Sequence, residues 1–234
     1  MHKRLLHAVA ASVLASGCGL VHAAPTPLAS PVSVTINGWA YSYGNVVNAT
    51  GYADYAGTFS ASMSHAGAFN NPSFSTYCIE LEEAFAGFGV QMPTYSVEDG
   101  AGYFAWRRGR ADIADRMGRL LTYVADHPAE VGSAEDGTAM QLAVWNLVYD
   151  TDYTLSGNGL FNDTSAYAAK ANVLLAGAQM TESRLDVYVL EMGNSQDFVI
   201  GLPHGTNIPE PGSLALAATA LAGLGVSRRV ARRA

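Results

Sequence analysis

Two side chains of this sequence are candidates for covalent chemistry, the thiol of Cys78 and the carboxamide of Gln141. The chain has two cysteines, Cys18 and Cys78, and residues 1–24 read as an export signal that is removed. The mature chain therefore keeps one thiol in an oxidising compartment, without an intramolecular disulfide partner. Either Cys78 is a small, shielded core residue, or its thiol is consumed in another covalent bond. Gln141 is the candidate partner because it lies among Met140, Leu142, Ala143, Val144 and Trp145. An unpaired buried amide costs about 1–3 kcal/mol, so something must satisfy or consume it.

The two ends carry addresses. His2-Lys3-Arg4, an apolar run from Leu5 to Ala15 and the small residues Val21-His22-Ala23 have the order of a secretory signal peptide, cleaved after Ala23 or Ala24. A lipoprotein box at Cys18 is the competing reading, weakened by Ala15 where a larger aliphatic residue belongs. At the other end Pro209-Glu210-Pro211 precedes an apolar run, Leu214 to Val226, and then Arg228, Arg229, Arg232 and Arg233. Thirteen helical residues span about 20 Å, short of the roughly 30 Å hydrocarbon core, which suits a transient anchor. The arginines hold its far end in the cytoplasm and leave everything before Pro209 outside. This tail resembles the PEP-CTERM sorting signal of Gram-negative bacteria. The resemblance implies an exosortase-type protease as partner, removal of the tail near residues 209–211, and delivery to the cell surface or an extracellular matrix. Contact with membrane is expected only through the C-terminal segment before processing.

Between the addresses, residues 25–207 hold seven positive side chains and nineteen acids, a net charge of −12. Nucleic acid and anionic lipid are poor partners on charge. Lys170 is the only lysine of this span. Five positives fall between Arg107 and Arg119 and alternate with Asp112 and Asp115 at helical spacing, as on a solvated helix face. His65, His127 and His204 lack metal-ligand spacing. Asp150-Thr151-Asp152 opens like a calcium loop, but Leu155 and Phe161 stand where glycine and glutamate are needed, so it reads as the exit of a helix.

The elements that must position Cys78 and Gln141 follow from periodicity. Val32, Val34 and Ile36 alternate as in a strand, and residues 55–64 and 74–81 continue the β pattern. Residues 111–126 place Ile113, Met117, Leu120, Leu121 and Val124 on one helical stripe. A second helix, capped by Ser133 or Asp136, carries the nearly all-apolar segment 139–149, and a third covers residues 164–179. Alternation returns at Leu185, Val187 and Val189 and at residues 197–202. The expected fold is α+β, a β-sandwich or barrel with a helical insertion between the cysteine and the C-terminal strands. The expected domains are 1–24, 25–207 and 208–234.

Tyr77-Cys78-Ile79-Glu80 together with Gln141-Leu142-Ala143-Val144-Trp145 resembles the thioester domains of bacterial surface adhesins, over about residues 70–200. The resemblance implies that the Cys78 thiolate attacks the Gln141 carbonyl, ammonia leaves, and an acyl-sulfur bond joins strand to helix without a cofactor. A thiolate and a donor that polarises the carbonyl are both required. Tyr77 and Trp145, the latter one helical turn after Gln141, are the candidate shields against water, or plain core residues. On this reading the protein is a single-use covalent adhesin that captures an amine- or hydroxyl-bearing partner, and not an enzyme. The alternative is a non-covalent exopolysaccharide- or matrix-associated binding protein.

Overall fold

The computed structural model describes residues 24–47, 53–85, 87–156 and 159–205. The export signal and the Pro209-Glu210-Pro211 tail with Arg228 and Arg229 lie outside the described residues. Eight strands and four α-helices are described, in the order β1 (Ala29–Trp39), β2 (Gly44–Val47), β3 (Ala53–Ala56), β4 (Phe59–Ser64), β5 (Asn71–Cys78), β6 (Gln91–Asp99), α1 (Gly100–Arg108), α2 (Asp112–Asp126), α3 (Ala134–Tyr149), α4 (Ala168–Met180), β7 (Leu185–Glu191) and β8 (Phe198–Pro203). Six strands close an antiparallel barrel in the order β1-β4-β5-β8-β7-β6, and β2 and β3 form a separate ribbon. The α+β expectation holds, with a barrel and not a sandwich.

Closure determines where the helices go. A closed barrel has no free edge, so the helices cover its faces: α1 and α2 pack against β7, α3 packs against β5, and α4 packs on α2 and α3. Helix α3 is the centre of that layer, with every residue from Asp136 to Val148 buried. Ser133 caps it by accepting from the Asp136 N–H, as its sequence suggests. Its buried polar side chains each reach a different segment. Thr138 donates to the carbonyl of Ala56 on β3 at 2.9 Å, Asn146 donates to the carbonyl of Thr154 at 2.9 Å, and Asp136 pairs with Lys170 of α4. Gln141 faces β5. Gly137 lets the helix approach the β3–β4 corner, where a Cβ would lie 2.8 Å from the Thr58 hydroxyl.

Three details depart from the sequence reading. Residues 55–64 are not one strand: they break at Gly57-Thr58, so that β3 leaves for the ribbon while β4 joins the barrel. Strand β6 and helix α1 also go beyond the periodic segments. Arg116 is not on a solvated face. It is 6% exposed, and its guanidinium donates to the carbonyls of Leu147, Asp150 and Asp152. Around it the surface pairs are as expected, with Arg119 to Asp115 and Arg110 to Asp112, each at 2.8 Å.

Candidate functional site

The structure brings Cys78 and Gln141 together across 63 residues of chain. The backbone N–H of Cys78 donates to Gln141 Oε1 at 3.0 Å, and Gln141 Nε2 donates to the Cys78 carbonyl at 2.7 Å. The clamp follows from the register of β5. Ile79 N–H bonds the carbonyl of Asp197 just before β8, so alternation turns the N–H and C=O of Cys78 to the opposite edge of β5. On that edge β4 begins at Phe59, opposite Thr76, and does not reach Cys78. The Gln141 amide takes the place of the missing strand. Gln141 itself is 1% exposed, so both of its polar atoms are met where water is excluded.

Five consecutive residues, Thr76 to Glu80, are buried, which means that both faces of the strand end are covered. Cys78 lies directly across from Phe198 of β8, and the Phe198 ring meets Phe59, Phe85 and Tyr95 at centroid distances of 5.8–6.3 Å. Tyr77 is buried beside Thr58 and Tyr41, and burial pushes its hydroxyl up to about 12. Trp145 is 3% exposed and packs edge-on against Phe161, with centroids 5.9 Å apart. Both candidate shields are therefore part of the packed wall around α3.

An acidic cluster adjoins the clamp, and sequence reasoning gave it no role. Glu80, Glu83 and Asp197 bring carboxylate oxygens within 4.8 Å of one another. Arg107 of α1 donates to Glu80 at 2.9 Å and to Glu83 at 2.7 Å, and Tyr103 donates to Asp197 at 2.5 Å. The Met192 N–H completes Asp197 at 2.8 Å. These acids could contribute oxygen ligands to a cation, but Arg107 and Tyr103 already occupy part of their capacity. Burial raises the carboxyls of Glu80 and Asp197 above the ordinary range, Asp197 to about 8, against Arg107 at Glu80 and Tyr103 at Asp197. The legible signal was position: Glu80 ends the Tyr77-Cys78-Ile79-Glu80 motif and Asp197 precedes β8.

The cluster has a consequence for pH. Both carboxyls ionise near pH 4 in the unfolded chain, so from about pH 4 to about pH 8 the folded chain binds more protons and stability falls as pH rises. The melting temperature should be higher at pH 5.5 than at pH 8.5, by about 3–6 °C for each pKa unit of net shift. Glu80→Gln combined with Asp197→Asn should flatten the slope. An unchanged slope in that variant would assign the dependence elsewhere.

The remaining candidate residues have structural partners. Lys170 is paired to Asp136 at the start of α3. His127 stacks on Tyr123, and His204 bonds Asp186 at 2.6 Å and the carbonyl of Ser183 at 3.0 Å. Among the described residues no helix is long and apolar enough to cross a membrane.

Comparison with known proteins finds the PEP-CTERM protein-sorting motif at residues 207–229. No curated protein matches the chain. The motif marks the chain as an exported cell-surface protein that is processed by an exosortase. It covers the tail alone, so the clamp must be read on its own chemistry.

Proposed function

We propose that the mature chain condenses Cys78 and Gln141 into a thioester and uses it once, to acylate an amine or hydroxyl on a surface or matrix partner. The clamp is the observation that supports this. It holds the carboxamide against the residue whose sulfur attacks, and the Cys78 N–H at 3.0 Å from Oε1 supplies the donor that stabilises charge developing on that oxygen. In the step, the sulfur–carbon bond forms and the carbon–nitrogen bond breaks. The thiol proton leaves with the amide nitrogen as ammonia. Capture reverses the logic: a nucleophile adds to the acyl carbon, sulfur leaves, and Cys78 regains its proton.

Condensation removes the nitrogen that bonds the Cys78 carbonyl at 2.7 Å, and an unmet carbonyl costs about 1–3 kcal/mol. That opposing term favours the second reading, in which the uncondensed clamp is the finished structure and the exported chain binds a matrix component non-covalently. Intact mass separates the two. The mature protein should be lighter than its sequence by one ammonia, with a thiol that resists alkylation after unfolding until an amine is added, and Cys78→Ala should regain the full mass. Full mass with a readily alkylated thiol would overturn the thioester and leave the second reading.

A further inference from the structure

The charge of the exported chain is segregated. From Ala24 to Ile79 the only formally charged side chain is Asp54, while the other eighteen acids and all seven positive residues of the mature span lie between Glu80 and Asp197. Strands β1, β4 and β5 are consecutive in the barrel, so one wall of the molecule is uncharged. On this side the structure exposes aromatic rings. Tyr43 and Tyr55 are 45% and 55% exposed, and Tyr41 and Phe88 are similarly open. The rings form a connected series, Phe88 to Trp39 at 5.6 Å, Trp39 to Tyr43 at 5.3 Å and Tyr43 to Tyr55 at 4.6 Å. Trp39 also stacks on Phe59 at 4.3 Å, and Phe59 meets Phe198, the residue across from Cys78. The aromatic surface therefore continues inward to the clamp.

We propose that the face formed by Trp39, Tyr41, Tyr43, Tyr55 and Phe88 is a binding platform for a neutral polysaccharide. Exposed apolar patches of this kind mark interaction sites. Aromatic faces carry negative quadrupole charge, which attracts the weakly positive C–H face of a pyranose ring, and the tyrosine hydroxyls add hydrogen bonds at the sugar rim. Charge selects the class. A chain of net charge −12 repels polyanions, and none of the five aromatic residues is itself charged, so they offer no ion pair to a cation. The proposal rests on the matrix-facing reading of the exported chain and is independent of the thioester. If both operate, the captured nucleophile is a sugar hydroxyl and the product an ester.

The test is affinity electrophoresis of the mature chain through native gels cast with hydroxyethylcellulose, dextran or galactomannan, with alginate as the anionic comparison. At least one neutral polymer should retard the protein and alginate should not. Tyr43→Ala combined with Tyr55→Ala, two exposed positions, should weaken retention at least tenfold with an unchanged melting temperature. Retention should be reversible, with the recovered protein at its starting mass, which separates platform binding from ester formation at Cys78. No retardation by any neutral polymer, equal retardation by alginate, retention only as a polymer adduct of raised mass, or retention in the tyrosine variant would each overturn the platform. So would a dimer, seen by sedimentation, that the tyrosine variant disperses, since it would assign the face to a second copy of the chain.

Discussion

Gln141→Ala should destabilise the fold by about 3–5 kcal/mol, because it strands the Cys78 N–H and C=O in a site closed to water, at about 1–3 kcal/mol each, and leaves a void. Cys78→Ala is the informative partner variant, since it keeps the backbone groups that the Gln141 amide clamps and removes only the sulfur. Without a thioester it should cost about 1 kcal/mol, the usual loss for a small buried group. With one, it also removes a cross-link that closes 63 residues of chain, worth about 4 kcal/mol in loop-closure entropy. Gln141→Glu adds a third comparison. Ionised, it still accepts from the Cys78 N–H but turns a negative oxygen toward the Cys78 carbonyl, so its deficit should grow as pH rises through the carboxyl's folded pKa. Chemical denaturation of the three variants measures all of this. A Gln141→Ala variant within about 1 kcal/mol of the parent would show that the clamp is not formed in solution.

The pairing of Cys78 with Gln141 was legible because each residue is anomalous where it stands, a lone thiol in an exported chain and an amide in an apolar helix. Helix α3 was legible for the same reason: its apolar residues leave no solvent face. Strand β6 was less so, since Ser96 and Glu98 are buried along with Tyr95 and Val97, and the usual alternation is blurred. Helix α1 opens with Gly100-Ala101-Gly102, which lowers its intrinsic propensity. Its signals were its caps, Asp99 accepting from the Gly102 N–H and Gly109 in the left-handed region. Gly100 is required by packing, as a Cβ there would lie 2.6 Å from the Val187 carbonyl. Arg116 shows the limit of pattern reading. Its spacing belongs to a charged helix face, but the carbonyls that hold it lie 31–36 residues further along the chain. The acidic cluster is hidden likewise, because Glu80 follows β5, Tyr103 and Arg107 share α1, and Asp197 precedes β8.

Asp150→Ala should be nearly as damaging as Gln141→Ala, at about 3–5 kcal/mol. Asp150 follows α3 directly and is 3% exposed. Its carboxylate accepts the backbone N–H of Leu160, the N–H of Phe161 at 3.0 Å and the side-chain amide of Asn146 at 3.3 Å. Hydrogen bonds to a charged acceptor are worth about 1.5–3 kcal/mol each, and alanine leaves buried donors with none. Asp150→Asn keeps one acceptor oxygen and should lose less. The acidic start of the Asp150-Thr151-Asp152 segment is thus explained by closing a loop on backbone amides. That loop sets Phe161 against Trp145, one helical turn beyond Gln141, so its release should open the wall beside the clamp. Gly159→Ala provides an independent route to the same defect, since a Cβ there would overlap the Asp150 carboxylate. Both variants should lower the melting temperature and shift tryptophan emission to longer wavelength. If a thioester is present, both should also shorten its lifetime in water. Loss of stability with unchanged emission would mean that the loop supports the fold without covering this face of α3.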